Sequence, residues 1–153
     1  MSWLLLLEQS LNGLQFGLML FLLAAGLTLV FGIMDMINLA HGSLYMIGAF
    51  LTATLAQATG SFWLGVLLAL IATAGIGALL EFTLLRHLYR RDHLSQVLAT
   101  FALILISNET VRMIWGPQPL ALDAPAALSG AVEILPGLQY SAFRLAIIGV
   151  GLA

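Results

Sequence analysis

The sequence predicts an all-α integral membrane protein: a polytopic helical bundle of about four complete transmembrane helices plus the start of a fifth. Three observations predict it. Hydrophobic residues make up 61% of the 153-residue chain and charged residues only 8%, against about 25% charged residues in an ordinary soluble domain. Apolar stretches long enough to cross a bilayer occur four times, and short polar or Gly- and Pro-bearing breaks separate them. The five basic residues are all Arg and lie scattered along the chain, so no positive strip is available to track phosphates and nucleic acid is excluded as a partner. A soluble enzyme and a disordered tail are excluded by the same composition. With no Cys, there is no disulfide framework, thiolate metal site or thiol nucleophile.

The first residues are apolar but carry no basic leader region, and Glu8 cuts the run after four leucines, so they read as a mature N-terminus rather than a signal peptide. From Asn12 to Ile33 the apolar text at about 1.5 Å per residue makes about 33 Å of helix, one bilayer crossing. A polar break follows with Asp35, Asn38 and His41, where Asn38 or Asp35 can cap the next helix, expected over about residues 39–58. Thr59, Gly60 and Ser61 mark a turn before a third helix over 62–85. The densest charge cluster, Arg86 to His93, then precedes a fourth helix over 94–115. Arg86, Arg90 and Arg91 mark that loop as cytoplasmic, which places the N-terminus outside. Glu109, three residues before Arg112, can neutralise it along the helix surface. All four prolines fall between Gly116 and Ser141, an extramembrane connection with a short element near Val132 to Leu135. A fifth helix starts at about Ala142 and reaches Ala153 with fewer residues than a crossing needs. The whole of 1–153 reads as a single transmembrane domain that ends incomplete.

Small side chains recur at every fourth position. One ridge is Gly48, Thr52, Ala56; another is Gly65, Ala69, Thr73, Gly77. Helices in lipid gain little from burying apolar surface, so close backbone approach must hold them together, and these ridges are the expected packing faces. Glu81 extends the third helix's ridge by one more step after Gly77. An ionisable group there faces protein or water; it either belongs to a solute path or pairs with Arg86 or a nearby Arg. Asp35, Asn38 and His41, spaced by three, either line a cavity at a broken span or form a solvated helix start. Asn38, His41 and Glu81 are therefore the candidates for translocation-path or gating contacts. Metal chemistry has no support, since Glu81, His87 and His93 are six residues apart and share no helix face. No catalytic residue and no phosphate-cradling loop is legible, so the chain cannot use ATP by itself.

An ordered series of segments resembles the membrane permeases of ATP-binding-cassette importers for branched-chain amino acids. It runs through Leu11-Asn-Gly-Leu-Gln-Phe-Gly17, Gly26-Leu-Thr-Leu-Val-Phe-Gly32, Ile37-Asn-Leu-Ala-His-Gly42, the stretch from Glu81 to Arg86, Leu98-Ala-Thr-Phe-Ala-Leu103, and Trp115-Gly116. The segment holding Asn38, His41 and Gly42 is the most specific. His87 departs from the pattern, which implies proline after the arginine. The likeness covers about the N-terminal half of a typical member and implies a chain that catalyses no covalent step. It implies a second homologous permease, two ATP-binding subunits that use ATP and Mg, a periplasmic substrate-binding protein, and a cell inner membrane location. The docking loop for the ATP-binding subunit is expected beyond Ala153. A permease for another amino acid, an amide or urea, and a membrane assembly partner without a transport path, remain alternatives.

Overall fold

The computed structural model describes residues 3–118, 120–122, 125–136 and 138–152. The backbone is mainly helical: α1 (Trp3–Met34), α2 (His41–Thr59), α3 (Phe62–Leu80), the short α4 (Arg86–Leu88), α5 (His93–Trp115) and α6 (Ala142–Leu152). A π-helical turn, Glu81–Leu85, joins α3 to α4 without a break, and a two-stranded hairpin, β1 (Ala131–Leu135) and β2 (Leu138–Ser141), precedes α6. Among the described residues three stretches are long and apolar enough to cross a membrane: Trp3–Ile33, Phe62–Leu88 and His93–Trp115. The second of the four expected crossings, α2, has 19 residues but carries His41, Ser43, three threonines and Gln57. Its composition suits a helix shielded by neighbours.

The helix boundaries differ from the sequence expectation in two informative places. α1 begins at Trp3, not near Asn12. Glu8, Gln9 and Ser10 interrupt the apolar window but not the helix, because straight-chain polar residues wind well, and the Ser10 hydroxyl donates back to the Leu6 carbonyl at 2.7 Å. At the other place, helical winding continues past residue 85 through the π turn to Leu88, so the Arg-rich loop shrinks to the turn around Tyr89–Asp92.

The chain forms two compact units. One holds Leu27–Leu122. In it α2 and α3 pack antiparallel along their small residues. A Cβ on Gly65 would lie 2.6 Å from the Ala56 backbone, one on Gly48 would lie 3.2 Å from Thr73 Oγ1, and one on Gly77 would lie 3.7 Å from the Leu44 side chain. Ala56 and Ala69 are buried, and the Thr52 hydroxyl donates to the Gly48 carbonyl at 2.8 Å. The buried Thr73 Oγ1, facing Gly48, has no hydrogen-bond partner among the described residues. Gly60 closes α2 with φ of 66°, the left-handed conformation that glycine adopts without strain.

The other unit takes the chain up to Gly26 together with residues from Asp123 onward. Its hairpin is antiparallel, pairing Val132 with Tyr140 and Glu133 with Gln139, and is irregular between Glu133 and Leu135. The element expected near Val132 is thus a strand. Asn12 on α1 accepts twice through Oδ1, from the buried Tyr140 hydroxyl at 3.0 Å and from Arg144 Nη1 at 2.7 Å. The close approach of α6 to α1 is set by Gly151, whose Cβ would stand 3.2 Å from Leu18 Cβ.

Candidate functional site

The polar break between α1 and α2 is an ordered segment. Asp35 ends α1 in the left-handed region, with φ of 49°, while its N–H still bonds to the Phe31 carbonyl at 2.9 Å. Aspartate is one of the few residues that tolerates that conformation. The chain then runs inward: Met36, Asn38 and Ala40 are buried. Asn38 Oδ1 accepts from the Ala40 N–H at 3.1 Å, a local turn that aims the chain into α2. α2 starts at His41, two residues later than expected, and its capping position, Ala40, offers no side-chain oxygen.

What holds this segment is Gln96, only 1% exposed on α5. Its Oε1 accepts from the Ile37 N–H at 3.1 Å, and its Nε2 donates to the Leu88 and Arg91 carbonyls at 3.2 Å each. His93 Nδ1 lies 3.4 Å from the same Oε1. One turn along, the fully buried Thr100 donates to the Gln96 carbonyl at 2.8 Å. Beneath the clamp, Met36 and Ala40 pack with Leu85 and Leu103, flanked by Leu80, Leu84, Leu88, Tyr89 and Ile104. Gln96 was not singled out by sequence reasoning, since one glutamine near a helix start carries no signal of its partners.

Glu81 sits in the π turn and accepts a hydrogen bond from the Tyr89 hydroxyl, not from Arg86. The Tyr89 phenol is pushed up to about 12 by burial first and by the Glu81 carboxylate second. Asp92 caps α5 by accepting from the Ser95 N–H at 3.1 Å and the Ser95 hydroxyl at 2.7 Å, and these bonds hold its carboxyl below the ordinary value. Arg112 pairs with Glu109 at 3.6 Å on an exposed face. His41 is half-buried at the first position of α2, and Gly42 beside it is exposed. The His41 N–H donates to the Asn38 carbonyl at 3.4 Å, but among the described residues no side-chain hydrogen bond or ion pair joins Asn38, His41 and Glu81 to one another. The sequence places them in one series; the structure gives Asn38 and Glu81 separate partners around the Gln96 clamp.

At the far end of α2, the Trp115 indole donates to Thr54 Oγ1 at 2.7 Å and its ring lies 5.4 Å from that of Phe50. Gln57 donates to the Ala121 carbonyl at 3.2 Å, so the segment after α5 is tied down over α2. Among the described residues no group of three His, Asp or Glu side chains is placed to hold a metal.

Residues 9–120 match the family described as the permease component of the branched-chain amino acid transport system. Among curated proteins, the chain is similar to the high-affinity branched-chain amino acid transport system permease protein LivH. For LivH of Salmonella typhimurium the identity is 38% over 74 residues, 48% of this chain and 24% of the relative. For LivH of Escherichia coli it is 28% over 127 residues, 77% of this chain and 41% of the relative. The corresponding protein BraD of Pseudomonas aeruginosa is 51% identical over 45 residues, 29% of this chain and 15% of the relative. The matches therefore span less than half the length of these relatives. No solved structure matches. With the family match running over α2, α3, α5 and the clamped break between α1 and α2, the chain belongs to the branched-chain amino acid transport permease family.

Proposed function

We propose that this chain is a transmembrane permease subunit of an ATP-binding-cassette importer that carries branched-chain amino acids across the cell inner membrane. The observation that carries this is the family match over residues 9–120, which takes in the Asn38 to Gly42 segment and two of the three stretches able to cross a membrane from end to end. In this reading the chain forms part of the translocation path and makes or breaks no covalent bond. A second homologous permease completes the path, two ATP-binding subunits supply energy through ATP and Mg, and a periplasmic substrate-binding protein delivers the cargo. Arg86, Arg90 and Arg91 support a cytoplasmic Tyr89–Asp92 turn, with the start of α1 periplasmic.

The proposed roles of the candidate residues follow their surroundings. Asn38 shapes the broken segment through the Ala40 N–H, Glu81 anchors Tyr89 beside it, and His41 is the first residue of α2; a gating contact with the solute is the role proposed for it. Alternating access requires an element with two discrete arrangements, and a short clamped segment between two long helices is a suitable one. Uptake of labelled leucine by cells carrying the full-length permease and its partner subunits tests the reading. ATP-dependent uptake, inhibited by isoleucine and valine but not by acetamide or urea, is the expected result. Uptake unaffected by deleting this chain overturns it.

A further inference from the structure

Beside the clamped segment, α2 and α5 enclose an open cleft of about 200 Å3 lined by Leu39, Gly42, Ser43, Met46, Ile104 and Asn108. We propose that this cleft is a contact site for an aliphatic α-amino acid, with Ser43 and Asn108 as its polar partners; this rests on the import reading above. Four independent features support it. Ser43 is only 7% exposed, yet its hydroxyl makes no hydrogen bond among the described residues. A serine or threonine hydroxyl on a helix commonly bonds back into that helix, as Thr52 does. Ser43 instead opens on the cleft.

Asn108, across the cleft, lies within the membrane-crossing α5, and its amide is likewise unpaired among the described residues. Asn108 is exposed, and an amide on such a face is costly against lipid, so in the bilayer it needs protein or water beside it. Gly42 supplies the third feature. A Cβ there would meet nothing within 4 Å and its φ is not positive, so neither packing nor backbone conformation requires glycine. Glycine inside a helix is otherwise unfavourable relative to alanine; here its missing side chain leaves room in the cleft. Finally, the remaining walls, Leu39, Met46 and Ile104, are apolar. A hydroxyl and an amide beside such walls match a solute with an aliphatic side chain and a polar head. The volume is below the roughly 300–1,000 Å3 of sites for drug-sized ligands, which suits one small molecule.

Residues 1–153 hold no cysteine, so in a full-length permease cleared of any cysteine elsewhere Ser43→Cys and Asn108→Cys each add a single thiol. In the full-length permease assembled with its partners, both thiols should react with a small methanethiosulfonate reagent. Leucine at ten times its half-saturating concentration should slow that reaction about tenfold by occupancy, whereas a thiol on the exposed Leu105 should be unaffected. Conformational change alone could also shield a thiol, so a second measurement uses size: Gly42→Ala should raise the KM for leucine uptake by about tenfold or more and that for alanine uptake much less. Thiols that react equally with and without leucine, or that never react, overturn the proposal. So does a Gly42→Ala permease that assembles and keeps the order of KM values. If the unsubstituted transporter moves neither amino acid, the import reading itself fails; if it moves both and the variants behave as it does, only the cleft is wrong.

Discussion

Three backbone groups depend on the Gln96 side chain, and they belong to the α1–α2 segment and the turn after α4. Replacing Gln96 with Leu keeps the bulk and removes every polar atom, which strands the Ile37 N–H and the Arg91 carbonyl, while the Leu88 carbonyl keeps the Arg91 N–H at 3.0 Å. A stranded buried group costs about 1–3 kcal/mol, so a loss of at least about 2 kcal/mol should appear as earlier thermal unfolding of the detergent-solubilised protein. Tyr89 gives a second residue-level expectation. A phenol raised from the ordinary 10.0 to about 12 favours the folded chain in its protonated form. Its contribution is complete below the unfolded value and lost as pH rises through about 12. Absorbance of the phenolate should therefore show one late-titrating tyrosine, absent after Tyr89→Phe. The sequence shows Glu81 and its need for a solute path or for Arg86 or a nearby Arg, but not Tyr89, because charge is legible in a sequence and an eight-residue reach across a π turn is not. The Gln96–Ile37 bond, 59 residues apart, was beyond reach for the same reason.

The pairing of α2 with α3 was more legible, since a four-residue step of small side chains is a geometric statement that survives without knowing the partner. The structure turns the ridges into contacts of different severity. At Gly65 an added methyl would press on the Ala56 backbone, whereas at Gly75 it would meet nothing within 4 Å. Gly65→Ala should thus lower the melting temperature of the solubilised protein by forcing the helices apart. Gly75→Ala should leave it unchanged or raise stability by about 0.5–1 kcal/mol, the ordinary helix preference for alanine. Element ends were the less legible part. Polar letters at Glu8 and Arg86 ended the apolar windows, but winding depends on backbone hydrogen bonds and continued through both. The β1–β2 hairpin was hidden in a connection rich in Pro and Gly, where only Val132 to Leu135 signalled an element.

For the molecule as a whole, composition alone settled the solvent class, because 61% hydrophobic residues leave too little polar surface for water. Orientation rests on arginine placement. A reporter inserted at the Tyr89–Asp92 turn of the full-length permease should register as cytoplasmic and one after Trp115 as periplasmic; the reverse pattern would invert the proposed topology. The Asn12, Tyr140 and Arg144 cluster belongs to a different scale of information, since three residues from distant parts of the chain meet on one amide oxygen. Deleting a single residue from the Glu81–Leu85 turn would restore ordinary α winding there and rotate everything downstream by about 100°. Leu88 and Tyr89 would swing away from Met36, and the Gln96 amide would lose its carbonyls. That stretch should accept exchanged letters far more readily than a lost one: its length, rather than its spelling, sets the phase between the membrane rod above and the arginine turn below.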